Sequence, residues 1–341
     1  MEFDILIFIQ AAGDTVYAMD LLEKNKGKRI HLCVVNVANV YKHLKDLSLD
    51  NLVVEFFPYV NLHHKNPISI YNAKRSTNKI YRDKFKNNQY REIVFFSRFF
   101  DWFTTTVIAK YLKSNKVKIR YLNYNDFVAV KSDEELTITS KGYFARQYYI
   151  SIVKLITGVR YLSRYKTRTI EFDHEYYKIE SEIIKEAVNV PEEYKVRFDF
   201  LCANTILFMI SPVELDFITL GAKREIELFL RGLGESGYKP VVKGHPRLGI
   251  PKELKESFEG VVPCEIPIEL IDLTNVKFVL GIVSSGLCTL VQEKDIQVFS
   301  LLNVLEFKKQ EVVEGYKKFL IERSDNKIKF PNTLYELKGL L

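Results

Sequence analysis

Cysteine is scarce in this chain: Cys33, Cys202, Cys264 and Cys288 are scattered through apolar runs without C-x-x-C spacing. That pattern excludes a disulfide framework and a zinc site, and it fits a reducing compartment. The N-terminal apolar run, 3–9, is too short to cross a bilayer and lacks the basic start and cleavage site of a secretory leader, so a cytoplasmic location is expected. Glycine and proline number only 15 and 10, and no low-complexity tract occurs, which leaves little room for function carried by disorder. No internal repeat is visible, which argues against a solenoid or propeller. The sequence D-x-D, a frequent carboxylate anchor for a divalent metal on a nucleotide diphosphate, is absent. His63-His64 lacks the i, i+4 spacing of helical metal ligands.

What is present is enough for two cores. A chain of 341 residues is too long for one ordinary domain and suits two of about 150 residues each. Short apolar runs alternate with helical patterns from the start, which predicts β-α units and parallel sheets. In the first half the expected strands are 3–9, 30–35, 52–57, 93–96 and 117–122, with helices at about 14–26, 37–46, 71–89 and 102–114. The second half restarts at 205–210 and continues with 240–242, 260–263, 278–282 and 297–301. Clean periodicity is lost between about 165 and 200. The expected organisation is therefore a first Rossmann-like domain over 1–165, a linker over 166–200 and a second Rossmann-like domain over 201–341, whose C-terminal helix can pack back on the first.

The net charge of +7 sits in one segment. Residues 136–170 carry Lys141, Arg146, Lys154, Arg160, Arg164, Lys166 and Arg168 with no acid, interleaved with tyrosines and aliphatic residues. Such a stretch can rest on an anionic membrane surface or hold an acidic glycan, and it can equally be an interdomain helix that buries its apolar side. No nucleic-acid-binding module accompanies the charge, so nucleic acid is not an expected partner.

Ligands of open α/β sheets sit beyond the carboxyl ends of the strands. Four such ends carry suggestive chemistry: 10–14, 123–126, 243–246 and 284–286. Val283-Ser284-Ser285-Gly286 leads into a helical run, where hydroxyls and backbone N–H groups can hold a phosphate; N-capping by Ser284 or Ser285 is the other reading. Lys243-Gly244-His245-Pro246 places two potential cations beside a turn, and a histidine there can protonate a leaving phosphate or serve as an ordinary hydrogen-bonding residue. The run from Phe95 to Phe103 is dense in aromatic rings. Its rings either stack on sugars or fill the core; Arg98, Asp101 and Trp102 are its members that remain candidates for the acceptor side.

Taken together with Pro267-Ile268-Glu269-Leu270, these motifs make the chain resemble the two-domain bacterial sialyltransferases of GT-B-like architecture, which include lipooligosaccharide sialyltransferases and polysialyltransferases. The H-P element, the P-x-E-L-like segment and the paired hydroxyls occur in the same order, and the resemblance covers the second half of the chain. It implies two doubly wound domains facing a cleft. It also implies an inverting, metal-independent transfer of a sialic-acid-like sugar from a CMP-sugar to a surface glycan or glycolipid. On this resemblance His245 protonates the departing CMP, Ser284, Ser285 and Gly286 hold its phosphate, and Glu269 accepts from the ribose. Lys243 and Gly244 line the pocket, with Pro267 and Ile268 beside the base. Glu269 can also be read as a first-turn acid that favours the helix dipole.

The general base of that family belongs to a D/E-D/E-G motif, which departs here to Tyr124-Asn125-Asp126-Phe127. Asp126 can serve if the base occupies the second acidic position; Asn125 cannot if it occupies the first. Asp133, Glu134, Glu135 and Asp14, which follows Gly13 at the first strand end, are further candidates. Gly13, Asp14, Arg98, Trp102 and Asn125 are the acceptor-side set. Two other readings stand beside this one. A CDP-linked glycerophosphotransferase would show S-D-x-S-S, where this chain has Gly281-Ile282-Val283-Ser284-Ser285. A donor-binding protein whose base has decayed fits Asn125.

Overall fold

The computed structural model describes residues 1–47, 49–58, 67–96, 101–123, 139–163, 170–184, 190–245, 248–292 and 295–341. The chain divides into two compact units, Met1–Glu186 and Ala187–Leu341, each built on a parallel sheet with Rossmann-like winding.

The first unit runs β1 (Glu2–Ile9), α1 (Asp14–Lys24), β2 (Ile30–Val35), α2 (Ala38–Leu44), β3 (Leu52–Phe57), α3 (Pro67–Ile80), β4 (Gln89–Phe95), α4 (Trp102–Ser114) and β5 (Lys118–Asn123). It continues with α5 (Ser140–Thr157), β6 (Tyr161–Leu162), β7 (Glu171–Phe172) and β8 (Glu180–Ile183). The main sheet is ordered β3-β2-β1-β4-β5-β8 with every pair parallel, and β6 and β7 form a separate antiparallel pair. β1 and β2 are apolar along nearly their whole length because helices cover both faces of such a sheet. Phe8, Phe57, Phe85, Phe95, Trp102 and Phe103 are among the large members of the core.

Two expectations change in this unit. The helix expected over 71–89 is α3 followed by a five-residue π-type turn, Tyr81–Phe85, and β4 begins at Gln89. The stretch expected as a linker, 166–200, instead supplies β7 and the sixth strand β8 to the first unit. β8 is Glu-Ser-Glu-Ile, and charge matching helps to anchor it: Arg120 on β5 lies 3.0 Å from Glu92 on β4 and 2.6 Å from Glu182 on β8. Lys118 adds a pair 3.1 Å from Glu180. A strand joined this way shows little of the apolar periodicity on which strand expectations rest.

The second unit runs β9 (Thr205–Met209), α6 (Pro212–Phe217), α7 (Leu220–Glu235), β10 (Lys239–Lys243), β11 (Gly260–Val262), β12 (Phe278–Gly281), α8 (Ser285–Leu290), β13 (Gln297–Ser300), α9 (Gln310–Arg323) and α10 (Leu334–Leu340). Its sheet is ordered β11-β10-β9-β12-β13, again all parallel. α7 starts where the Thr219 hydroxyl accepts from the N–H of Ala222, and Ala222, Ile226, Leu230 and Leu233 place its apolar stripe in the core. The C-terminal helix is anchored within the second unit. Leu337 is fully buried, and the Tyr238 hydroxyl donates to the carbonyl of Leu341 at 2.6 Å.

Each sheet reverses its winding once, between β1 and β4 in the first unit and between β9 and β12 in the second. Loops leave in opposite directions at such a point and open a crevice at the carboxyl ends of the strands.

Candidate functional site

The second unit gathers the three motif segments at the carboxyl ends of its strands. β10 ends in Lys243 and opens into Gly244 and His245. A Cβ on Gly244 would stand 2.6 Å from the carbonyl oxygen of Gly249 and 2.8 Å from Cys264 Sγ, so only glycine fits. This close approach lets His245 and Gly249 exchange backbone hydrogen bonds of 3.0 and 2.8 Å, with Gly249 at φ +73°. His245 is exposed on the resulting turn. Pro246 lies outside the described residues.

Lys243 was expected to line the pocket and neutralise phosphate. It is buried, and its ammonium donates to the carbonyls of Gly244 and Cys264, each at 3.0 Å. Burial lowers its pKa, against the pull of Cys264, Glu269 and Glu265. Its charge is spent inside the protein, where it ties the exit of β10 to the turn after β11. His245 is exposed on the turn that this tie holds.

Pro267 and Ile268 are buried at a short 3-10 turn, Ile268–Leu270, and Glu269 is half-buried. Burial raises the Glu269 pKa, opposed by hydrogen bonds that include one from the Thr289 side chain, and by the nearby Lys243 ammonium. Glu269 is thus bonded to Thr289 of α8, with the Lys243 ammonium nearby. The Ser284 hydroxyl caps α8 by accepting from the N–H of Gly286 at 3.3 Å. Ser285 opens the helix, and Gly286 lies against the end of the Met209 side chain and, at 3.0 Å from where a Cβ would sit, against Ile268 Cγ2. The capping reading of Ser284 thus holds. α8 has only six residues, so what favours an anion here is local N–H and O–H groups rather than a long helix dipole.

One residue of this site escaped the sequence reading. Glu214, on the first turn of α6, is buried; it accepts from the N–H of Ser211 at 2.6 Å and from the N–H of Val283 at 2.9 Å. It thereby bridges β9 and β12 at the switch point. Burial pushes its pKa up to about 7, against the hydrogen bonds it accepts. The signal was in the sequence as Ser211-Pro212-Val213-Glu214, a capping box with proline at the helix start. Nothing in that signal announces the second bond, to Val283.

The first unit's candidates fare differently. Asp14 is buried, and its carboxylate accepts from the N–H groups of Gln10 at 2.6 Å and Ala11 at 2.8 Å; it fastens the loop after β1. Gly13 is exposed as the N-cap of α1. Trp102, offered as a sugar-stacking ring, is 1% exposed, and its indole N–H donates to the Thr77 hydroxyl at 3.0 Å. It belongs to the core, as the density of phenylalanine around it favours. Asp101 caps α4 and accepts from Phe103 N–H, Thr104 Oγ1 and Gln10 Nε2. Arg98, Asn125 and Asp126 lie outside the described residues, as do His63, His64 and the acids at 133–135. Of the basic 136–170 segment, residues 139–163 and 170 are described and contain α5.

Among the described residues no three His, Cys, Asp or Glu side chains gather as a metal-ligand set, and no helix is long and apolar enough to cross a membrane. No family model and no curated protein matches the sequence. Among solved structures the chain is similar to a glycotransferase of kitacinnamycin, at 7% identity and TM-score 0.49, over 99% of this chain and 88% of that one. It is also similar to the UDP-GlcNAc 2-epimerase of Methanocaldococcus jannaschii in complex with UDP-GlcNAc and UDP, at 9% identity and TM-score 0.40, over 99% and 91%. A family 9 glycosyl transferase from Veillonella parvula follows, at 10% identity and TM-score 0.38, over 96% and 86%.

Proposed function

We propose that the chain is a glycosyltransferase whose second unit binds a nucleotide-sugar, and that the donor is a CMP-linked, sialic-acid-like sugar. The observation that carries this reading is the convergence of three segments, far apart in sequence, on the carboxyl ends of one parallel sheet. His245 is exposed after β10, Ile268 and Glu269 follow β11, and Ser284–Gly286 follow β12. Lys243 bonds to Cys264 and Glu269 to Thr289, which supports reading the three segments as one site.

In the reaction an acceptor hydroxyl attacks the anomeric carbon as its proton passes to a base. The bond to the CMP oxygen breaks with inversion, and His245 delivers a proton to the leaving phosphate. Asp126 is the proposed base. Ser284 and Ser285 with the backbone of Gly286 hold the phosphate, and a single phosphate can be neutralised without a metal. The acceptor is a surface glycan or glycolipid, met by a cytoplasmic enzyme at the inner membrane face through the basic 136–170 segment.

Calorimetric titration of CMP, CDP and UDP without metal tests the donor. CMP is expected to bind in preference, with affinity lost in His245→Ala and weakened in Ser284→Ala/Ser285→Ala. No CMP preference would sink the assignment. A preference for CDP points instead to the glycerophosphotransferase reading, and CMP binding without transfer to any glycan to the decayed one.

A further inference from the structure

α5 has two apolar sides. Ile150 and Val153 are buried in the core of the first unit. On the opposite side Phe144, Tyr148 and Leu155 are 69%, 71% and 86% exposed. Their spacings of four and seven residues align them within about 40° on a helix of 3.6 residues per turn. The whole of Ser140–Thr157 contains no acid, and Lys141 and Lys154 are exposed at the margins of the stripe. A helix with aromatic and leucine side chains along one outward stripe, bordered by lysines, has the composition of a segment that lies in a membrane interface.

A second feature stands at the C-terminal end of the same helix. A cavity of about 210 Å³ is lined by Tyr81, Lys110, Lys113, Thr157, Gly158 and Val159. Lys113 Nζ stands 3.4 Å from where a Cβ on Gly158 would be, and Lys110 Nζ lies 5.5 Å over the Tyr81 ring. Close to it, Lys74 on α3 donates to the carbonyl of Ile156. Burial lowers the Lys110 pKa, and the charges that lower it further are all cations: Lys113, Lys74 and Arg82. Like charges held around a cavity raise one another's energy, and an anion placed among them relieves it.

We propose that the outer face of α5 docks on an anionic lipid bilayer, with the Lys110/Lys113 cavity receiving a headgroup phosphate. Such a surface offers an apolar layer for Phe144, Tyr148 and Leu155 and phosphate for the cavity at the end of the same helix, and its charge complements a helix without acids. The proposal deepens the reading of the 136–170 segment given above and does not depend on the donor assignment.

Co-sedimentation of the full chain with vesicles tests it, using phosphatidylcholine alone or mixed equally with phosphatidylglycerol. CMP calorimetry on the same preparations is the second arm. Binding is expected only with phosphatidylglycerol present. Phe144→Ser/Leu155→Ser and Lys110→Gln/Lys113→Gln should each weaken it roughly tenfold or more while leaving the melting temperature and CMP affinity unchanged. Equal binding to both vesicle types, no binding, or binding indifferent to both double variants would overturn the proposal. So would inorganic phosphate bound through Lys110 without any vesicle binding, or a stable dimer sealed through this face. Failure of the donor reading shows only in the CMP arm.

Discussion

At the switch point of the first sheet, the side chain of Gln10 accepts from the N–H of Phe96 at 3.3 Å and donates to Asp101 at 2.8 Å. At the corresponding point of the second sheet, Glu214 accepts from two backbone N–H groups, of Ser211 and Val283. An amide has both a donor and an acceptor and can bridge a backbone N–H to a carboxylate; a carboxylate can only accept, and suits a place where two N–H groups converge. Burial raises the pKa of the carboxyl group at each point. Asp101 is opposed by bonds from Thr104, Gln10 and Phe103, whereas Glu214 relies on Ser211 and Val283 and reaches about 7. The two switch points thus differ in their ties: the one beside Ser284–Gly286 is held by a carboxyl group that burial pushes up to about 7.

The largest disturbance of the second crevice should come from Gly244→Ala. Its Cβ would meet the backbone of Gly249, which has little freedom to give, and a loss of about 3 kcal/mol is expected. Amide hydrogen exchange should show the loss in β9, β10 and β12, with the first sheet unaffected.

Exchanging the two bridging groups is the direct test of the comparison. Gln10→Glu sets a second carboxylate against buried Asp101, and Glu214→Gln leaves Ser211 or Val283 without an acceptor; each should cost on the order of 2 kcal/mol in denaturant unfolding. Glu214 also fixes a pH signature. Its folded-state pKa is raised from 4.5 to about 7, so between those values the folded chain holds a proton that the unfolded chain has lost. Its contribution to stability is full below about 4.5 and disappears as the pH rises through about 7. Glu214→Gln should flatten that part of the stability profile, and an unchanged slope would show that another group sets it.

Smaller effects separate core from site. Trp102→Phe removes the bond to Thr77 and should destabilise by about 1 kcal/mol with no change in binding of any glycan, because the ring is buried. Ser284→Ala removes the cap of a six-residue helix and should cost about 0.5–1 kcal/mol by thermal unfolding, with the larger effect appearing in CMP affinity.

Much of this architecture was legible beforehand. The strands 30–35 and 52–57 and the helix 102–114 lie at their expected bounds, and all five strands of the second sheet lie within a residue or two of theirs. Apolar periodicity is a local property, written wherever an element buries one face. The same signal is weak in β8, where Arg120 and Lys118 meet the acids of another segment. The three candidate segments were legible as residue types at strand ends, whereas the partners of Lys243, Glu269 and Glu214 were not. Each of those side chains bonds to groups distant in sequence.

The sequence by itself therefore determined two parallel α/β units, the order of their strands along the chain, and the residues that stand at the carboxyl ends of the second sheet. Only the tertiary structure decided that Lys243 spends its charge on two carbonyls, that Trp102 is core, that 170–184 belongs to the first unit, and that Glu214 closes the switch point. Periodicity and capping are set by neighbours along the chain. Burial, and the hydrogen bonds that burial makes obligatory, are set by whatever the fold brings alongside.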